Sequence, residues 1–236
     1  MPFPILHEVP TPRLGLAYAG AQRIDTGYLP TIPAAGGLSM LCWFKAPTGS
    51  TAVLIGSGKV PAAFNRCQIN LQAVDKVRIY AKDDAANVRT ATSNKTVANN
   101  CWHHVGATVD AANDLVKIYV DGLLDNSASG AFGVTTLNTF DFTIGCLHNE
   151  AGYTAYLTGQ IAEPAIYSRV ITFPEVRLHM LGRPAFAGLE VYYPFKSIPL
   201  FGTGLLRNAA KPGTYSGTLT GTPRVVPCPG VVSPMV

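Results

Sequence analysis

Apolar and polar residues alternate along most of this chain, and the alternation is clearest over residues 102–109 and 115–120. In the first run Val105, Ala107 and Val109 alternate against His104, Gly106 and Thr108, the pattern of a strand with one face in a core. The linker 110–114 (DAAND) carries short polar side chains that bond their own backbone in turns. After the second run comes Asp121-Gly122, suited to a type I′ turn because both central residues there need positive φ. The stretch 100–125 therefore predicts strand, turn, strand and turn in succession.

Similar runs recur on either side. Over 38–45 (LSMLCWFK), Leu38, Met40, Cys42 and Phe44 alternate against Ser39, Leu41, Trp43 and Lys45. Shorter strand signals cover 53–56, 67–71, 76–81, 89–92, 140–147 and 159–169. Thr172, followed three places on by Glu175, is a capping box, and it predicts one short helix near 173–181. Roughly ten strand signals at short intervals with a single helix indicate an all-β sandwich, in which two packed antiparallel sheets cover each other's inner faces. Residues 1–16 carry four prolines among apolar residues without periodicity, and they read as an extended arm ahead of a sandwich spanning 17–226. The tail 227–236 is also apolar and proline-rich.

The run WHHVGATVD followed by VKIYVDGLL resembles the central hairpin of laminin G-like and concanavalin A-like jelly-roll domains. The resemblance extends over 18–182 and implies jelly-roll strand order. Its fold-defining positions here are Trp43, Trp102, His103, Tyr119, Asp121, Gly122, Glu163, Tyr167 and Arg169. Such domains occur in lectins, in some glycosidases, and in adhesion and phage virion proteins. In relatives, an aromatic-Pro-Phe strand and a GTLTGTP strand stand before the first strand of the domain. Here they follow the helix, within 189–226, an arrangement associated with lectin-like proteins encoded by phages. That segment either fills the same places in its own sandwich, as in a permuted chain, or docks on a neighbour.

Composition narrows the classes. In this chain of 236 residues only 14% are charged, against a typical quarter, and 47% are hydrophobic, so part of the surface is expected to be covered by partners. The net charge of +4 is spread along the chain without Lys or Arg runs, which leaves no nucleic-acid footprint. The five cysteines, Cys42, Cys67, Cys101, Cys146 and Cys228, are odd in number and form no C-x-x-C pair, so buried reduced thiols are expected. The opening Met1-Pro2-Phe3-Pro4 is unlike a secretory leader, and no apolar run approaches the ~18 residues of a membrane span. Synthesis in a reducing cytoplasm, with release in a virion, is the expected route.

Candidate chemistry is sparse. Glycosidases of the resembled fold carry Glu-x-Asp-x-x-Glu, but none of Glu8, Glu150, Glu163, Glu175 and Glu190 is followed two places on by Asp, so no enzyme is expected. His103 and His104 point to opposite faces of a strand and cannot chelate one ion together. His148, Asn149 and Glu150, with Tyr153 and Tyr156, form a polar and aromatic loop that suits stacking on a sugar, or else contact with a neighbouring subunit. Relatives bind calcium through edge-loop oxygens. The candidates here are Asp110, Asn113 and Asp114 with Asp121, and separately Asp83, Asp84 and Asn87. Neither set has the density of a dedicated site, and the resembled Asp-Glu pair is Ala162-Glu163, so no cofactor is expected.

The leading expectation is a non-catalytic phage virion protein: a capsid decoration, cement, tail or fibre component that self-associates and contacts proteins such as the major capsid protein. The alternative is a carbohydrate-binding adhesion module using the 148–156 loop or a concave sheet face. An endoglucanase-like enzyme ranks last.

Overall fold

The computed structural model describes residues 13–58, 65–137, 139–150, 152–195 and 204–228. In chain order these form β1 (Arg13–Ala19), β2 (Arg23–Asp25), β3 (Thr31–Ile32), β4 (Gly37–Lys45), β5 (Val53–Gly58), β6 (Arg66–Gln72) and β7 (Lys76–Lys82). There follow β8 (Val88–Thr92), β9 (Trp102–Asp110), β10 (Leu115–Val120), β11 (Leu123–Ser129), β12 (Thr135–Thr136), β13 (Thr143–Ile144), β14 (Leu147–Asn149) and β15 (Gly152–Thr154). The chain continues through β16 (Thr158–Tyr167), the helix α1 (Phe173–Met180), β17 (Leu189–Tyr192), β18 (Gly204–Leu206), β19 (Gly217–Thr220) and β20 (Arg224–Cys228).

Two eight-stranded antiparallel sheets face each other. The first runs β11-β10-β9-β4-β16-β1-β20, with β17 also paired to β16; the second runs β18-β19-β2-β13-β5-β6-β7-β8. This is the expected two-sheet β-sandwich of jelly-roll type. Its core takes one side of most strands: Leu38, Met40, Cys42 and Phe44 from β4, Val105, Ala107 and Val109 from β9, and Cys67, Ile69 and Leu71 from β6. The central hairpin pairs Val109 with Val116, Ala107 with Ile118 and Val105 with Val120. The next turn, between β10 and β11, has φ of 50° at Asp121 and 76° at Gly122, both positive as a type I′ turn requires.

The other face of the first sheet is also buried, under α1. Leu41, Tyr119, Ala165, Tyr167 and Val176 form a second apolar cluster there, so β4 is covered on both sides. The helix starts as predicted: the Thr172 N–H donates to Glu175 Oε2 at 2.8 Å. Arg169 adds an ion pair to Glu175 Oε1 at 2.5 Å. At the far end Gly182, with φ of 75°, turns the chain out of the helix.

Two expectations change. The boundary at 16/17 moves, because β1 begins at Arg13 and Leu16 is fully buried between β16 and β20. The strand expected over 140–147 is broken in two by Gly145, whose φ of 85° bends the chain where a Cβ would lie 2.5 Å from the Tyr18 ring. Within 189–226 the described strands pair with this chain's own sheets: β17 joins β16, β19 joins β2 and β20 joins β1. Pro227 sits in β20, an edge strand, where a missing N–H costs no ladder bond. The remainder of both arms, 1–12 and 229–236, lies outside the described residues.

Candidate functional site

The loop singled out in the sequence is a short hairpin, β14–β15, in which His148 pairs with Tyr153. Their rings stack at 4.3 Å with an interplanar angle of 18°. The Arg23 guanidinium lies 3.6 Å from the Tyr153 ring centre. Two groups at such separations cannot share one face, so the phenol is sandwiched between them. Arg23 Nε also donates to both oxygens of Asp25 at 3.1 Å, and His148 Nδ1 is 2.7 Å from Asp141 Oδ1. Burial raises the Asp25 carboxyl above its ordinary range despite Arg23, and burial together with Asp25 raises the Tyr153 hydroxyl. Tyr153 therefore offers a sugar no open face; with His148 it ties the hairpin to β2.

The five candidates separate in space. Adjacent residues of a strand point to opposite sides, so Asn149 and Thr154 turn away from the Arg23 cluster. Glu150 is exposed at the hairpin turn, and Tyr156 lies past it, half-buried, outside the His148–Tyr153 stack. Asn149 Nδ2 donates to Thr154 Oγ1 at 2.8 Å.

What Asn149 and Thr154 face is a groove of about 580 Å³ between the hairpin and the outer side of the second sheet. Its other wall is the outward row of β6: Arg66, Gln68, Asn70 and Gln72, standing opposite the core row Cys67, Ile69 and Leu71. The backbone joins the two walls, since the Val53 N–H donates to the Ala155 carbonyl at 3.0 Å. Gly56 lies opposite Gln68, where a Cβ would come within 2.6 Å of the Gln68 Cβ, so the absence of a side chain there leaves room for the glutamine. Gln68 is only 4% exposed, and its Oε1 has no hydrogen-bond partner among the described residues. A buried acceptor is costly to leave unpaired, so it takes a donor from water or from a ligand in the groove. Asn70 Oδ1 accepts from Arg78 Nε at 3.3 Å. No carboxylate lines this groove among the described residues.

The groove row was not singled out from sequence, although its signal is present: RCQINLQ over 66–72 alternates large hydrogen-bonding side chains against apolar ones, and KVRIYAK over 76–82 does the same beside it.

The calcium candidates are occupied with backbone work. Asp110 accepts from the N–H and the side-chain amide of Asn113 at 3.1 and 2.9 Å, and Asp114 Oδ1 accepts the Phe132 N–H at 2.7 Å. Asp83 accepts from the N–H groups of Asn87 and Gly133, both at 2.7 Å. Among the described residues no group of three or more His, Cys, Asp or Glu is placed to hold a metal ion.

The two histidines diverge as their alternation predicts. His103 meets Asp121 and Asn99, while the fully buried His104 puts Nε2 2.9 Å from His179 Nδ1 on α1, with Trp43 edge-on. Trp102 is half-buried, Tyr119 and Tyr167 are buried, and Glu163 occupies a bulge of β16 with φ of 49°. Cys42, Cys67, Cys146 and Cys228 are buried thiols, and Cys101, against expectation, is exposed.

Comparison with known proteins agrees with this architecture. The profile of the family described as the concanavalin A-like lectin/glucanases superfamily matches residues 19–177. No curated protein sequence matches the chain. Among solved structures, a candidate carbohydrate-binding protein from Bacteroides ovatus superposes with a TM-score of 0.69 at 16% identity, covering 92% of this chain and 61% of that one. The CBM40 of the Ruminococcus gnavus IT-sialidase gives 0.55 at 12% identity, covering 72% of this chain and 97% of that one. The heptameric SAP-like pentraxin of Limulus polyphemus gives 0.54 at 11% identity, covering 70% and 80%. At these identities the likeness is one of fold, and the chain spans less than two thirds of the Bacteroides protein. With the family profile covering most of the sandwich, the chain belongs to the concanavalin A-like lectin/glucanase superfamily, and its sandwich is lectin-like.

Proposed function

We propose that the protein is a carbohydrate-binding module that holds a glycan in the groove between β6 and the β14–β15 hairpin. The observation that carries this is the buried Gln68 carboxamide with its unpaired Oε1, set among Arg66, Asn70, Gln72 and Asn149. Planar amides and guanidinium groups offer donors and acceptors in fixed directions, which suits the mixed donor and acceptor character of sugar hydroxyls. The site is read as non-catalytic, because glycoside hydrolysis needs two facing carboxyl groups and the groove lining has none. Asp25 and Asp141 are tied instead to Arg23 and to His148 and the Gly27 N–H. The fold likeness to a carbohydrate-binding module of a sialidase supports the same reading.

A glycan array on the purified protein tests it. Binding is expected, and Asn70→Ala or Asn149→Ala should each weaken it about tenfold, the worth of a lost hydrogen bond or two. Binding that survives both substitutions overturns the groove assignment.

The virion reading rests on the opening unlike a leader, the low charge, the resemblance of 189–226 to phage-encoded proteins and the two proline-rich arms, most of which lie outside the described residues. It predicts a homo-oligomer that co-sediments with phage particles through the major capsid protein. The groove does not depend on it.

A further inference from the structure

We infer that the groove selects glycans carrying an anionic group, a carboxylate or a sulfate, with Arg66 and Arg78 as its partners. This rests on the glycan reading above and narrows it. In the antiparallel register Arg66 faces Lys82, Gln68 faces Tyr80, Asn70 faces Arg78 and Gln72 faces Lys76. Directly opposite residues share a face, so the outward side of β6 and β7 carries Arg66, Lys76 and Arg78, with Lys82 buried at its end, and no Asp or Glu.

The two arginines flank one aromatic ring. Their guanidinium carbons lie 5.5 and 5.4 Å from the centre of the one Tyr80 ring. Burial lowers the proton affinity of both, Arg66 is lowered further by Arg78, and the Tyr80 ring only partly opposes this. Neither is held in an ion pair with a described carboxylate. Two half-buried cations facing one ring are short of counter-charge, and a ligand anion supplies it with forked, charge-assisted hydrogen bonds. The adjoining Gln68 carboxamide and the Asn149–Thr154 wall then meet neutral hydroxyls of the same sugar. A flat basic surface would attract any polyanion; here the cations adjoin a walled groove with a buried amide, which selects for a sugar that bears the charge.

The test uses the whole chain and matched oligosaccharides: a neutral set, the same backbones bearing uronate or sialic acid, and the same backbones bearing sulfate, with poly-glutamate as a polyanion without sugar. The expected result is at least about tenfold tighter binding of one acidic set than of the neutral set. Affinity should fall with added salt, and the carboxylate and sulfate arms tell which anion is taken. Arg66→Met and Arg78→Met should each reduce the acidic-to-neutral ratio toward one, whereas Lys117→Met on the opposite sheet should not alter it. Equal affinity for neutral and acidic sets overturns this inference and leaves the glycan reading standing. Equal binding of poly-glutamate, or a ratio indifferent to both arginine substitutions, also overturns it. No binding to any glycan overturns both.

Discussion

The Nδ1 of His103 lies 3.0 Å from Oδ2 of Asp121, so the first central residue of the β10–β11 turn is bonded back to β9, the strand on the other side of β10. Asp121 Oδ1 also accepts the backbone N–H of His104 at 3.1 Å, and Lys95 pairs with Oδ2 at 2.5 Å. Burial alone would raise this carboxyl, but the bonds from His103 and Lys95 outweigh it and hold the pKa at about 2. One side chain thus sets the turn, the register and a local charge.

A depressed carboxylate stabilises the fold above its unfolded pKa of about 3.9, and that stability is lost as pH falls through the folded value of about 2. Melting temperature should therefore drop as the pH is taken from about 4 toward 2. Asp121→Asn should cost about 1–3 kcal/mol at neutral pH and flatten part of that drop, read by urea melts at pH 7 and pH 3. Glu175, held at about 2 first by Arg169, titrates over the same range, so only the double substitution with Glu175→Gln should remove most of the slope.

Arg23 covers one face of Tyr153 and pins the hairpin to β2. Arg23→Ala should destabilise the fold by about 1–2 kcal/mol, the scale of a partly desolvated cation–π contact. It should also weaken glycan binding although Arg23 is absent from the groove lining, because the Asn149 wall loses its support. Calorimetric titration of the best array hit, beside a melt, separates the two effects. Tyr153→Phe keeps both ring contacts and should bind as the parent does.

Gly56→Val should close the groove. Its Cβ would sit 2.6 Å from the Gln68 Cβ and push the carboxamide aside, with about 1–3 kcal/mol of overpacking strain. A chain that folds, melts lower and no longer binds is the expected result.

His104 and His179 share a buried hydrogen bond of 2.9 Å between β9 and α1. His179→Ala removes that bond and leaves a cavity beside Tyr192, and should cost about 2–4 kcal/mol in denaturant melts.

The central hairpin and the start of α1 were legible because each is specified locally, by alternation and by the chemistry of Asp121-Gly122 and Thr172–Glu175. The beginning of β1 was not. Its leucines stand among prolines, and the partner that buries Leu16 on one side is β20, at the other end of the chain. β11 showed no period because it is an edge strand whose Leu123 and Leu124 are exposed. The loop 148–156 was correctly marked as polar and aromatic, but nothing local reveals that Arg23 takes the open face of Tyr153. The row Arg66 to Gln72 reads as an ordinary solvent face until the hairpin is seen to wall it.

In the pairing of β1 with β20, Arg13 stands opposite Cys228. The described part of the chain thus starts and stops at a single corner, on the other sheet from the arginine-bearing surface. A short covalent link at that corner would close the backbone into a ring, and a new opening at the β10–β11 turn would give a reordered chain with the recognition surface untouched. A carrier or a neighbouring module fused at that corner would be tethered on the far side and leave the recognition surface turned outward.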